Sequence, residues 1–251
     1  MYRQGADYRP ADARRRVKAR ALAWATPAFV LAAIFVLLGQ WQLGRAREKE
    51  SMVALVERAE RLAPRRLAAG VVPGPGRPVR VVARGYFDPS HEVLLDNQTH
   101  AGQAGVRVLT PFRIEGSASQ LLVDRGWLPV DSTTRRPAAI AAPSNGETEL
   151  RGLLTALPGV GVRMGDGAIA FGTEPPLLAY LDQSMLRSAL GDGLVAGLLR
   201  LDADLPDGFL RDYQPVPASM PPARHRGYAL QWFALAATVV LTWGLLAFRR
   251  P

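Results

Sequence analysis

The side chains best suited to chemistry stand together near the carboxyl end, in Arg224-His225-Arg226-Gly227-Tyr228-Ala229-Leu230-Gln231-Trp232-Phe233. His225, Tyr228 and Trp232 fall at i, i+3 and i+7, so a helix would carry all three on one face. Two arginines flank the imidazole, which at such a position can cap the helix or bind water and phosphate. Candidates elsewhere are poorer. His91 follows Asp88-Pro89-Ser90, and His100 lies in Asn97-Gln98-Thr99-His100-Ala101-Gly102; both stretches are turn-like, and both imidazoles read as solvated or locally hydrogen-bonded. Asp96, Asp124 and Asp131 could work as acid and base only if the fold gathered them, and their spacing gives no sign of it. Asp124-Arg125 reads as an ion pair or turn contact at a strand end, and Trp127 as a core anchor. No P-loop, nucleophile elbow, zincin helix or dinucleotide fingerprint occurs, so a hydrolase is not favoured and no enzyme activity is expected.

The polar cluster opens a run of 22 uncharged residues, 227–248, closed by Arg249-Arg250-Pro251. At about 1.5 Å per residue a helix of that length crosses a bilayer. A second uncharged run, 21–44, has an aliphatic centre, Pro27 as a kink point, and Trp24 and Trp41 near its ends, suited to the two headgroup layers. It reads as a retained anchor, because no small-residue cleavage pattern follows it. If both runs span, Gln40, Trp41, Gln42 and Arg45 end the first at the depth where His225, Tyr228, Gln231 and Trp232 begin the second. Hydrogen bonds from glutamine to glutamine or tyrosine, each about 0.6 to 2 kcal/mol, would tie such helices together, and packing alone would account for Gln40, Gln42 and Gln231.

The net charge of +9 invites a nucleic-acid reading, but its location argues against one. Residues 1–20 hold seven Lys or Arg and two Asp, Arg249 and Arg250 add two more positive charges, and only +2 is left for the middle. Basic flanks outside two apolar runs are a topology signal that places both termini in the cytoplasm. The expected organisation is a basic cytoplasmic leader at 1–20, membrane helices at 21–43 and 227–248, and a short cytoplasmic tail at 249–251. An amphipathic helical extension at 44–63 and a β-rich extracytoplasmic domain at 64–226 lie between. The chain has no cysteine, so it has neither disulfides nor thiolate metal sites.

Within the middle, strand-like pieces at 79–87, 92–96, 106–114 and 120–123 are separated by turn clusters at 88–90, 97–105 and 115–117. Further strands are expected at 149–157 and 194–201, a helix on the sheet at 176–190, and loops at 133–146 and 158–167. The fold class is therefore α+β: a two-span transmembrane helix hairpin carrying an antiparallel meander or small barrel.

Four blocks together resemble the Surfeit locus protein 1 family of cytochrome oxidase biogenesis factors. They are Leu38-Gly39-Gln40-Trp41-Gln42-Leu43 with Arg45, Gly85-Tyr86-Phe87-Asp88, Val108-Leu109-Thr110-Pro111-Phe112 with Leu122-Val123-Asp124-Arg125-Gly126-Trp127, and His225 with Tyr228-Ala229-Leu230-Gln231-Trp232-Phe233. Their order and spacing cover nearly the whole chain. The resemblance implies a two-pass protein of a bacterial inner (plasma) membrane with its main domain in the periplasm, serving aa3-type cytochrome c oxidase. It implies that haem a is bound and helped into subunit I, with haem A synthase as a further partner and no nucleic acid. His225 is then the candidate axial ligand of the haem iron. Arg224 and Arg226 would pair with the propionates, and Tyr228 and Trp232 would offer an aromatic wall. The sequence departs from the family pattern at Arg226-Gly227, where His-Leu-x-Tyr-Ala is common, and at Ala223, where asparagine is frequent; Gly227 would loosen the first turn. A haem-free scaffold for an oxidase assembly intermediate and a membrane-tethered sensor or binding module are the alternatives.

Overall fold

The structure, a computed structural model, describes residues 23–67, 77–158, 168–206, 208–213 and 220–248. The leader at 1–20, the tail at 249–251 and nearly all of the loop expected at 158–167 lie outside the described residues. In chain order the elements are α1 (Ala25–Glu60), β1 (Arg65–Arg66), β2 (Val79–Phe87), a 3-10 turn (Pro89–His91), β3 (Val93–His100), β4 (Gln103–Ile114), β5 (Gln120–Pro129), β6 (Thr148–Thr155), β7 (Leu177–Leu178), α2 (Gln183–Leu190), β8 (Leu198–Leu201) and α3 (Pro222–Phe248). They divide into two compact units, a helical one up to Ser51 and from Ser219 onward, and a β-rich one over Met52–Ala218.

In the helical unit, α1 and α3 are both long and apolar enough to cross a membrane, and only 11% of each apolar window is buried against protein. Such exposure suits helices whose solvent is lipid rather than the core of a soluble domain. Pro27 sits in the first turn of α1, where its missing N–H breaks no hydrogen bond within that element. Covered positions of α1 include Ala28, Ala32, Phe35, Gly39, Gln42, Ala46 and Lys49, alternating by four and three, with Leu38, Leu43 and Glu50 beside them. That is the seam of a helix packed nearly parallel to its neighbour axis. Their partners on α3 run the other way: Gln42 meets His225, Phe35 meets Trp232 at 5.5 Å between ring centroids, and Phe29 meets Trp243 at 5.1 Å. A Cβ on Gly39 would stand 2.6 Å from the Phe233 ring, so only glycine permits this approach.

The β-rich unit is a mixed sheet in the order β1-β2-β6-β8-β5-β4-β3-β7, and a further pairing of β2 with β4 closes β2, β6, β8, β5 and β4 into a ring. β4 makes this possible by changing partner along its length, lying against β3 at Gln103–Leu109 and against β2 at Phe112–Ile114. Alternate residues of the five strands fill the interior: Val81 and Ala83, Phe112, Leu121 and Val123, Leu150 and Leu154, Leu199 and Leu201. A second core, with Val93, Leu109, Leu122 and Leu186, lies under α2, so β5 is buried on both faces.

Several expectations change here. The sheet is not an antiparallel meander: β1–β2, β3–β7 and β5–β8 are parallel. The helix expected at 176–190 begins only at Gln183, because Leu177–Leu178 pairs with β3 and Asp182 caps the helix, accepting from the N–H groups of Ser184 (2.9 Å) and Met185 (3.2 Å). The turn cluster expected at 97–105 contracts to Ala101-Gly102, both with positive φ, and β3 and β4 extend through the rest as a hairpin. The strand expected from residue 194 starts at Leu198, Leu194 making a single bridge to Gln120. Residues 133–146 form neither helix nor strand.

Candidate functional site

His225 lies in the first helical turn of α3 and is 8% exposed. Its Nδ1 is 2.7 Å from Oε1 of Gln42 on α1. An amide oxygen can only accept, so Nδ1 is the donor in this pairing, and in the neutral ring the lone pair is then on Nε2. Nε2 is buried and has no hydrogen-bond partner among the described residues. A neutral imidazole whose other nitrogen donates to an oxygen is the arrangement a metal-binding histidine uses. Small residues give it room: Ala46 is one turn on from Gln42, Ala229 one turn on from His225, and each is 1% exposed.

The charged groups nearby are unequal. Arg226 is held 2.7 Å from Glu50 of α1, so its charge already has a partner. Arg224 is exposed and has no side-chain partner among the described residues. Arg45 pairs along its own helix with Glu48 at 2.6 Å. The aromatic face divides too, with Trp232 half-buried against Phe35 while Tyr228 stands 39% exposed outside the seam. Gln40, Trp41 and Gln231 are exposed, and neither the Gln40 nor the Gln231 side chain has a hydrogen bond among the described residues. Gln42 is the glutamine that reaches across. α3 runs unbroken through Gly227, so the first turn is not loosened there.

The β-rich unit keeps its ionisable groups apart. Asp124 accepts from Arg107 at 3.1 Å, whereas Arg125 turns to Glu92 at 3.0 Å, because consecutive strand residues face opposite ways. The expected Asp124–Arg125 pair is thus replaced by two longer-range ones. Thr110 Oγ1 donates to the same Glu92 oxygen at 2.5 Å, Arg125 also donates to the Ala141 carbonyl at 2.6 Å, and its guanidinium lies 4.9 Å over the Phe209 ring. Asp96 is tied to Arg135 at 2.5 Å, and Asp131 accepts from the N–H groups of Thr133 and Thr134. The three aspartates therefore serve three separate contacts and form no acid–base pair. His91 bonds within its turn to Asp88 and Ser90 and packs edge-on to Phe171. His100 lies 3.5 Å from Asp212. Trp127 is buried, its Nε1 donating to the Gln98 carbonyl at 3.1 Å. No group of three or more metal-binding side chains occurs among the described residues.

Comparison with known proteins bears on what the helix pair is for. The profile of the SURF1 family matches residues 29–237, from within α1 to within α3. The chain belongs to the SURF1 family. A SURF1-like protein of Monosiga brevicollis is similar, 25% identical over 231 residues that cover 83% of this chain and 82% of the relative. The SURF1 match takes in Gln42, Glu50, His225, Arg226 and Trp232 as well as the whole β-rich unit. Membership of the SURF1 family implies a role in cytochrome oxidase assembly, and two apolar helices near the ends of the chain accord with a membrane protein.

Proposed function

We propose that this chain holds haem a at the α1–α3 seam and helps place it in subunit I of an aa3-type cytochrome c oxidase. The observation that carries the reading is the His225 ring, with Nδ1–H committed to Gln42 and the Nε2 lone pair buried without a donor. Haem iron accepts such a lone pair, and the iron of haem a is the cargo's own redox and ligand centre. Arg224 is the group available to a propionate, Arg226 being neutralised by Glu50. Trp232 and the exposed Tyr228 provide aromatic surface for an apolar macrocycle. Because Nε2 is covered, loading requires the seam to part at that level, where Ala46 and Ala229 bring little side-chain bulk. The site is expected in a bacterial inner membrane, with both termini cytoplasmic, the β-rich unit periplasmic, and haem A synthase as the donor partner. No turnover is part of this role.

The cover over Nε2 and the Arg226–Glu50 pair favour a second reading, a haem-free scaffold that steadies an oxidase assembly intermediate. Purification in detergent from cells that make haem A separates the two. The haem reading expects a Soret band in wild type that His225→Ala loses; a colourless wild type from such cells ends it and leaves the scaffold. A deletion strain with undiminished aa3 oxidase activity would defeat both and favour a sensor or binding module.

A further inference from the structure

A cavity of about 530 Å3 opens on the outside of the barrel, between β2, β6 and β8 and the last turns of α1, entirely within the β-rich unit. Its polar walls are crowded with arginines, and most are locked. Arg80 gives two hydrogen bonds to Asp202, at 2.6 and 2.7 Å, and Arg151 reaches Asp204 at 3.2 Å. Arg211 donates to the carbonyls of Asp202, Leu205 and Pro206.

Arg200 is the exception. It interrupts the apolar strand β8, faces out of the barrel half-buried, and its side chain has no hydrogen bond or ion pair with any described residue. The carboxylate in register with it on β5 is Asp124. That carboxylate already accepts from Arg107 at 3.1 Å and from the Gly126 N–H at 2.9 Å. Both guanidiniums lie over the one Tyr213 ring, Arg107 at 4.7 Å and Arg200 at 5.5 Å from its centroid. Two cations therefore share one ring, and the carboxylate beside them is taken by Arg107. Glu60 also lines the cavity but makes no ion pair with Arg200. Arg80 Nε and Arg211 Nε, on two other lining residues, are buried without acceptors among the described residues, although the lining carboxylates Glu60, Asp202, Asp204 and Asp212 equal the lining arginines in number. Even half-burying a cation without an acceptor is costly, and its retention needs a reason.

We propose that this cavity binds a small oxyanion, a carboxylate or phosphate group, through the planar fork of Arg200. Guanidinium N–H groups match two oxygens of such an anion side by side, a geometry that lysine cannot reproduce. The volume falls in the range of small-molecule sites, and the ion pairs on either side, being already closed, leave Arg200 as the group that selects the ligand's charge. The inference does not depend on haem.

The test uses the full chain in detergent, titrated by calorimetry with sodium phosphate and with sodium succinate against sodium chloride at matched ionic strength. At least one oxyanion should bind with unit stoichiometry where chloride does not. Arg200→Gln should weaken it by about tenfold or more, with Arg200→Lys, charged but without the fork, in between. Arg84→Gln, at an exposed pair with Glu149, should bind as wild type does. Phosphate and succinate both behaving like chloride, or Arg200→Gln binding as tightly as wild type, overturns the proposal. Should Arg200→Gln fail to fold, an undiminished affinity in Arg200→Lys overturns it equally.

Discussion

Buried polarity is handled in opposite ways by the two units. In the barrel, Glu92 accepts from both Arg125 and Thr110, and Arg125 spreads its donors over a carboxylate, a carbonyl and an aromatic face. The atoms left over there are N–H donors on side chains that already make other bonds, such as Arg80 Nε and Gln183 Nε2. In the helix pair the leftover atom is His225 Nε2, which in the neutral ring is a lone pair with nothing to donate to it. A surplus donor in an arginine-rich wall asks for an anion, and a surplus lone pair on a fixed imidazole asks for a metal or a proton. The same defect, an unmatched buried polar atom, thus points to two ligand chemistries in one chain.

The contrast is broken most severely from the barrel side. Glu92→Leu leaves the Arg125 guanidinium, 1% exposed, without its carboxylate, and should cost about 3 to 5 kcal/mol of stability. Denaturant unfolding of the purified chain measures it. The double variant Glu92→Leu with Arg125→Leu should be less destabilised than Glu92→Leu alone; equal or greater loss would mean that the pair is not what Glu92 is held for. On the helix side the matching insult is Gly39→Leu, whose side chain meets the Phe233 ring and should overpack the seam by about 1 to 3 kcal/mol. Since the chain has no native cysteine, Phe35→Cys with Trp232→Cys reports the seam directly. Cross-linking of that pair should fall when Gly39→Leu is added, and an unchanged yield would show that the helices do not need the glycine.

These residues also show what can be read from sequence and what cannot. The two spans stood out as uncharged runs, and the equal-depth argument placed Gln42 level with His225, because helix rise converts residue number into height. Which of three glutamines crosses the seam depended on rotation about the helix axis, and the alternation by three and four that fixes it is visible only once Gly39 and Ala46 are seen to be covered. In the barrel the strands with plain alternation, such as Val79–Phe87, were legible. Parallel partners of two residues, Arg65–Arg66 and Leu177–Leu178, were not, since so short a piece carries no period. Asp124 and Arg125 looked like one pair because they are neighbours in sequence; the pleat sends them to different partners. Arg200 in Leu198-Leu199-Arg200-Leu201 was a signal available to a reader, an arginine in an otherwise buried strand, but its surroundings come from four distant segments.

A finer probe of the helix seam is Gln42→Leu. If the amide oxygen only ties the helices, its loss costs about 0.6 to 2 kcal/mol and leaves any haem spectrum of wild type unaltered. If it fixes the proton on Nδ1, haem affinity should drop about tenfold while the band survives, unlike the complete loss expected of His225→Ala. Gln42→Glu, which keeps an acceptor at the same place, should restore most of the affinity.

The smallest effect is one of pH, and it belongs to the barrel alone. Burial of the Asp88 carboxyl tends to raise its pKa, but hydrogen bonds from Ser90, Arg113 and His91 outweigh this and bring it down to about 2 from 3.8. A carboxylate that ionises more readily folded than unfolded stabilises the fold at all pH values above 3.8, and loses that contribution as the pH falls toward 2. Asp88→Asn has no such charge to lose. The gap in unfolding midpoint between wild type and Asp88→Asn should therefore be constant from neutral pH to about 4 and close between 4 and 2. Arg113→Leu should shift that closing upward, because the guanidinium 2.7 Å from Asp88 is one of the groups holding the carboxyl ionised. A gap that stays open at pH 2 would mean that Asp88 acts through neutral hydrogen bonds, as the seam's Gln42 does, and the two units would then differ less than their buried groups suggest.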